Sequence, residues 1–203
     1  MSFGTKEQKI DFLRMALTLF AITAIVAAVL ASANYFTAPI IANAAKERLD
    51  DSLRVLKEDA ASFEELPSFP KEILTGGAKV PVTAVYAARG ADGAFIGFCI
   101  QVAPNGYSNT IDMIVATDRE GAVSGVQILS IADTPGIGMK VESDEAFRNS
   151  VIGFSESISI VKKAPSFKDE VQVISGATVS STAYLNGVNA AIDVANQMIK
   201  EVE

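Results

Sequence analysis

From residue 15 to residue 45 the chain carries no charged side chain, and charge then returns at once with Lys46, Glu47 and Arg48. The first part of that stretch, residues 15–33, reads MALTLFAITAIVAAVLASA. About 20 apolar residues in a helix span the hydrocarbon core of a bilayer. Residues 15–36 are therefore predicted to form a transmembrane helix, with Tyr35 and Phe36 as interfacial aromatics. Lys6, Lys9 and Arg14 precede it, which places the tail, 1–14, in the cytoplasm and the rest of the chain outside the cytoplasmic membrane. Ala31-Ser32-Ala33 has the small residues of a signal-peptide cleavage site, but the apolar run is long for a signal sequence. An uncleaved single-pass anchor is the expectation.

Beyond the membrane the pattern changes period. Leu49, Leu53 and Leu56 recur at helical spacing with charges between them, and Pro39 is predicted to break or kink the helix before them. Residues 37–75 read as a helical connector in which Pro67 and Pro70 mark a loop. Gly76-Gly77 opens a second domain, 76–203, and there the pattern becomes β. Residues 82–88, 94–102, 112–117 and 122–131 are rich in β-branched and aromatic side chains, with turn-like segments at 90–93 and 118–121 that predict hairpins. Ser143 followed by Asp144 and Glu145 is a helix start, and 158–162 and 171–174 could each add a strand. A last helix is predicted from about 181 to 202, with Tyr184, Val188, Ile192, Ala195 and Ile199 as its apolar stripe. Strands flanked by helices without regular βαβ alternation predict an α+β domain, a mainly antiparallel sheet packed by helices.

Composition then narrows the chemistry. The chain has no His, no Trp and a single Cys. A His-based triad, a His/Cys metal site and a cysteinyl iron–sulfur cluster are all ruled out, so redox chemistry would need an organic cofactor. Lys and Arg total 17 against 24 Asp and Glu, a net charge of -7, and no basic stripe offers a face to nucleic acid. Cys99 lies in an apolar run and reads as a buried strand residue.

Three short motifs remain. Ser175-Gly176-Ala177-Thr178 lies between a predicted strand and the last helix. Gly176 permits close backbone approach, and Thr178, Ser180 and Ser181 place hydroxyls beside a helix N-terminus, which favours a phosphate. Taken alone, the tetrapeptide is more simply a Ser/Thr-rich cap. Asp133-Thr134-Pro135-Gly136-Ile137-Gly138 follows a predicted strand; Pro-Gly is a turn signal, and Gly138 suggests backbone pressed against something crowded. Gly106-Tyr107-Ser108-Asn109 precedes the strand at Asp112 and taken alone is a loop.

Together, in this order, the three motifs resemble those of the FMN-binding domain found in the G subunit of Rnf-type complexes, a relative of the C subunit of the sodium-translocating NADH:quinone reductase. Gly106-Tyr107-Ser108 is similar to the family's Gly-Tyr-Ser/Gly, residues 133–138 to its Glu-Thr-Pro-Gly-Leu-Gly, and residues 175–178 to its Ser-Gly-Ala-Thr. The resemblance implies FMN joined through its phosphate to Thr178 by a separate flavin transferase that uses FAD. It implies a cofactor site of Ser175, Gly176, Ala177, Val179 and Ser180, faced by Thr134, Pro135, Gly136, Ile137 and Gly138, with Tyr107 and Ser108. It also implies an extracytoplasmic electron-relay subunit, inactive alone, whose partners are membrane lipid and the other subunits of an ion-translocating ferredoxin:NAD oxidoreductase. The quinone-reductase subunit is usually longer than this chain. A membrane-anchored FMN-binding or sensor domain without electron transfer is the reading from a different class. Two positions depart from the family pattern. Gln172 stands where the family usually has Asp, which implies slower modification, and Asp133 replaces Glu, keeping the charge but shortening its reach.

Intact-mass measurement of the membrane-extracted chain is expected to find the apolar segment retained; a mature N-terminus at Asn34 would show cleavage instead.

Overall fold

The computed structural model describes residues 6–133 and 138–202, in two compact units, one up to Glu47 and one from Arg48 onward. The first unit is the greater part of helix α1 (Lys6–Leu56), which among the described residues is the one helix long and apolar enough to cross a membrane. Its apolar side chains face outward along its length, Phe20, Ile25 and Leu30 among them. Its hydroxyls are bonded inside the helix. Thr18, Thr23, Ser32 and Thr37 donate to the carbonyls of Arg14, Leu19, Ala28 and Ala33 at 2.8–3.0 Å. A helix in hydrocarbon must satisfy its polar groups in this way. Of the break or kink expected at Pro39, the break does not occur: α1 runs through it. A proline removes one amide donor, and every other backbone group keeps its partner only if the helix continues.

The predicted helical connector, 37–75, is helical only as far as Leu56. Strands β1 (Ser62–Glu65) and β2 (Glu72–Thr75) follow, and both pair with β3 (Ala78–Arg89). They share one edge of this 12-residue strand, β2 along its first half and β1 along its last. The sheet then continues as an antiparallel meander through β4 (Phe95–Val102), β5 (Ile111–Thr117) and β6 (Val123–Ile131). These four strands lie within a few residues of their predicted bounds, and the turns at 90–93 and 118–121 close as hairpins. Next come α2 (Lys140–Ser143) and α3 (Glu145–Asn149), the latter capped by the Asp144 carboxylate, which accepts from the Phe147 N–H at 3.0 Å. The last two predicted strands are short, β7 (Ser159–Val161) and β8 (Glu170–Gln172). They pair with each other in parallel as a separate ribbon instead of extending the sheet.

Helix α4 (Thr178–Val202) starts one turn earlier than the apolar stripe predicts. It is also buried on far more than a stripe. Leu185, Ala190, Ala191 and Val194 are as enclosed as Tyr184, Val188, Ile192 and Ala195. The reason is a second layer. Val80, Phe98, Ile100 and Met113 of the sheet share one core with α4, and so do Val141, Phe147, Val151, Ile158 and Val173. Polar side chains of α4 hold that second layer by its backbone. Asn189 accepts from the Ile158 N–H at 2.7 Å and donates to its carbonyl at 3.0 Å, and the Tyr184 hydroxyl donates to the Arg148 carbonyl at 3.1 Å.

The other face of the sheet is covered by the end of α1. Leu53, 3% exposed, packs with Cys99, Ile114 and Ala116, flanked by Leu49 and Leu56. This is why β5 shows no alternation of polar and apolar residues: Ile111, Met113 and Val115 face α4 while Ile114 and Ala116 face Leu53. Cys99 is the buried strand residue its sequence context suggests, and burial pushes its thiol up to about 12. Leu53→Ala is expected to destabilise the domain by about 2–4 kcal/mol in urea unfolding, the usual range for emptying a buried leucine site. The same variant should speed the labelling of Cys99 by a thiol reagent under native conditions, since the leucine shields it.

Candidate functional site

Asp133 ends the run that follows β6, and its carboxylate is almost fully enclosed, with the residue 4% exposed. Burial alone favours the neutral acid. Four donors oppose it. The N–H groups of Tyr107, Ser108 and Asn109 point at the carboxylate, at 3.1, 2.7 and 3.4 Å. The Ser180 hydroxyl, on the first turn of α4, donates to Oδ2 at 2.5 Å. Burial is the largest single influence and raises the pKa. The hydroxyl and the three amides together outweigh it, so the carboxyl is held below its ordinary value and is ionised at neutral pH.

The loop that supplies the amides is shaped for this. The Ile111 N–H donates to the Pro104 carbonyl at 2.9 Å and the Gly106 N–H to the Asn109 carbonyl at 2.8 Å, so three consecutive amides turn to one side. Such a nest of backbone N–H groups takes an anion. Asn109 adds a side-chain bond to the Ala132 carbonyl at 3.1 Å. Close approach explains two glycines. A Cβ on Gly106 would lie 2.7 Å from both the Asn109 oxygen and Asp133 Oδ2, and one on Gly138 would lie 2.5 Å from Asp133 Cβ. The crowded neighbour that the second motif suggests for Gly138 is therefore the first residue of that motif.

Through this carboxylate the three motifs meet. Tyr107, Gly138, Gly176, Ala177, Thr178, Val179 and Ser180 line one cleft of about 420 Å3. That volume lies within the roughly 300–1,000 Å3 of small-molecule sites. Tyr107 is 69% exposed at its rim. Gly176 adopts φ +82°, a left-handed turn, and the Ala177 N–H closes it on the Ile174 carbonyl at 3.0 Å. Thr178 is thus the first residue of a 25-residue helix. The first amides of a helix have no partner within it and carry partial positive charge.

The remaining predicted site residues fall differently. Ser108 gives its backbone N–H to Asp133 and does not line the cleft. Ser175 borders a neighbouring cleft of about 520 Å3 with Asp144, Phe147, Glu170 and Gln172. Gln172 donates its side-chain amide to the Lys162 carbonyl at 3.4 Å, a bond that an Asp at this position could not donate. Thr178 also borders a polar cleft of about 400 Å3 that includes Thr75, Lys162, Thr182 and Asn186. Thr134, Pro135, Gly136 and Ile137 lie outside the described residues. Motif reading names Asp133 without its role and passes over Lys140. Asp133 binds partners 24–26 and 47 positions away, a reach that no local pattern encodes. Lys140, which no motif singles out, places its Nζ 4.0 Å from where a Gly176 Cβ would be. Among the described residues no cluster of three or more acidic or Cys side chains could hold a metal.

The lining fits a flavin phosphate. It has a hydroxyl at a helix start, a glycine turn beside it, small apolar residues along the floor and an aromatic ring at the edge.

Residues 106–193 match the FMN-binding domain family. The chain is 28% identical over 208 residues to the G subunit of the Na(+)-translocating ferredoxin:NAD(+) oxidoreductase complex of Acetobacterium woodii, a match that covers 97% of this chain and 99% of that one. It is 27% identical over 165 residues to the G subunit of the proton-translocating ferredoxin:NAD(+) oxidoreductase complex of Clostridium ljungdahlii, covering 81% of each. It is 35% identical over 118 residues to the G subunit of the ion-translocating oxidoreductase complex of Shewanella piezotolerans, covering 57% of this chain and 55% of that one. Among solved structures, NqrC of Shewanella oneidensis superimposes over 71% of this chain and 73% of its own, with a TM-score of 0.47 and 15% identity.

Because its carboxyl is held below the ordinary value of about 4, Asp133 contributes stability that is complete at neutral pH. That contribution is lost as pH falls through the ordinary and then the folded pKa. Asp133→Asn is expected to cost roughly 1–3 kcal/mol in urea unfolding at pH 7, since an amide cannot accept from four donors. The difference from the unmodified chain should shrink as the measurement moves below pH 4.

Proposed function

We propose that this chain, whose residues 106–193 are a domain of the FMN-binding family, is the flavin-bearing electron-relay subunit of a membrane-bound ion-translocating ferredoxin:NAD oxidoreductase, with FMN held covalently on Thr178. The observation that carries the reading is the convergence of Tyr107, Gly138 and residues 176–180 on one cleft whose walls are tied together by Asp133. The end-to-end similarity to the Acetobacterium woodii protein supports the assignment to such a complex.

When bound, FMN supplies one- and two-electron transfer. The chain's own residues supply the holding. In attachment, Thr178 would give its Oγ to the phosphorus, with the pyrophosphate bond of an FAD donor broken, AMP as the leaving group and the hydroxyl proton lost. A helix start is a favourable place for the resulting phosphodiester anion. Gly138, Ala177, Val179 and the exposed Tyr107 line the same cleft and would contact the bound cofactor. Asp133 touches none of this chemistry. It fixes the distance between the loop bearing Tyr107 and the helix bearing Thr178.

The chain has neither a glycine-rich dinucleotide fingerprint nor the thiolates for a cluster, so neighbouring subunits hold the sites for NAD and for ferredoxin. Helix α1 serves as the single-pass anchor, with the flavin domain on the extracytoplasmic side of the cytoplasmic membrane.

Coexpression with a flavin transferase, followed by denaturing electrophoresis under ultraviolet light, tests the attachment. A fluorescent band is expected for the unmodified sequence and its complete loss for Thr178→Ala. A dark band for the unmodified sequence, beside a control protein that the transferase does label, would refute covalent FMN and favour a non-covalent binding module.

A further inference from the structure

Attachment of a phosphodiester at Thr178 brings a negative charge into a cleft that has a second one behind its wall. Asp133 is buried and ionised, and it accepts from Ser180, which is two residues along the chain from Thr178. Like charges in a partly desolvated region repel, and a nearby cation offsets the repulsion. The chain is poor in cations overall, with a net charge of -7.

One cation is in place. Lys140 lies two residues beyond Gly138, and its Nζ lies 4.0 Å from a Cβ built on Gly176. The ammonium therefore stands over the glycine of the attachment tetrapeptide, on the side left open by the absent side chain. Among the described residues the ion pairs are Lys79 with Glu72 and Arg89 with Glu64, and Lys140 belongs to neither. It is exposed, and among the described residues no ion pair uses its charge.

We propose that Lys140 is a positioning residue for the flavin, pairing its ammonium with the phosphodiester on Thr178 and so joining the segment after Asp133 to the attachment loop. The proposal rests on the covalent-flavin reading above. A lysine is suited to the role as a compact point charge on a flexible stem, able to meet a phosphate oxygen without a fixed fork geometry. Its second effect is electrostatic. A positive charge beside the flavin favours the electron-rich form, so removing it makes reduction harder.

The test uses the full-length chain in detergent, with and without flavin transferase, as the unmodified sequence, Lys140→Gln and Lys140→Arg. Contacts between attached flavin and folded protein have no counterpart in the unfolded chain, so flavinylation should raise the melting temperature. In Lys140→Gln that gain is expected to fall by a few degrees, about what a partly exposed ion pair yields in a chain of this size. The flavin midpoint potential should move to more negative values. Lys140→Arg should restore both, and the three flavin-free chains should melt together. An equal gain and an equal potential in Lys140→Gln would overturn the proposal alone, as would a loss already present in the flavin-free variant. A chain that takes up no flavin with Lys140 intact would overturn this proposal together with the reading it rests on.

Discussion

A carboxylate shut away from water stays charged only where donors replace the water it has lost. Asp133 meets this condition with three amides from one loop and a hydroxyl from a helix. The requirement runs in both directions. The loop 104–111 has amides directed inward that need an acceptor, and Ser180 on a buried helix needs a partner for its hydroxyl. One side chain answers all of them, and in doing so sets the width of the cleft between Tyr107 and Thr178. The glycines at 106 and 138 follow from the same interaction, because any side chain there would occupy the space the carboxylate fills.

Helix α4 is the second constraint. A helix enclosed on nearly all sides has no solvated face on which to spread polar residues, so each polar group on it needs an assigned partner. Ser181 accepts from the Ile174 N–H, Tyr184 bonds the Arg148 carbonyl, Asn189 bonds both backbone groups of Ile158, and Asn196 donates to the Ser155 carbonyl, whereas the buried Asn186 Oδ1 has no partner among the described residues. These bonds run to segments that have little regular structure of their own. The stretch from 145 to 174 is held by the helix it covers. Ser175-Gly176-Ala177 is the final link of that layer before the chain enters α4 at Thr178, so the hydroxyl of Thr178 stands on the first turn of a buried helix.

The two faces of the sheet divide the labour. One carries α4 and, through it, the cleft; the other is sealed by Leu49, Leu53 and Leu56 at the end of α1. Because those leucines belong to the same helix as the apolar segment, the domain core begins within the helix that leaves the membrane segment. The packing around Leu53 fixes the start of the domain against its sheet.

The sequence by itself determined whatever depends on neighbours along the chain. An uncharged run of sufficient length specifies a membrane-spanning helix, and β-rich runs separated by turn residues specify the meander from β3 to β6, because strand pairing across tight turns is local. The three motifs and the hydroxyl at Thr178 were legible for the same reason. Tertiary structure alone decided the rest. It decided that α1 passes Pro39 unbroken, that β1 and β2 take the edge of β3, and that β7 pairs with β8 outside the sheet. It decided that α4 is enclosed beyond its apolar stripe, since a covering layer of short, irregular segments leaves no period to read. It made Asp133 the junction of the site and set Lys140 over Gly176, because burial, charge and hydrogen bonding act through space between residues that the chain keeps far apart.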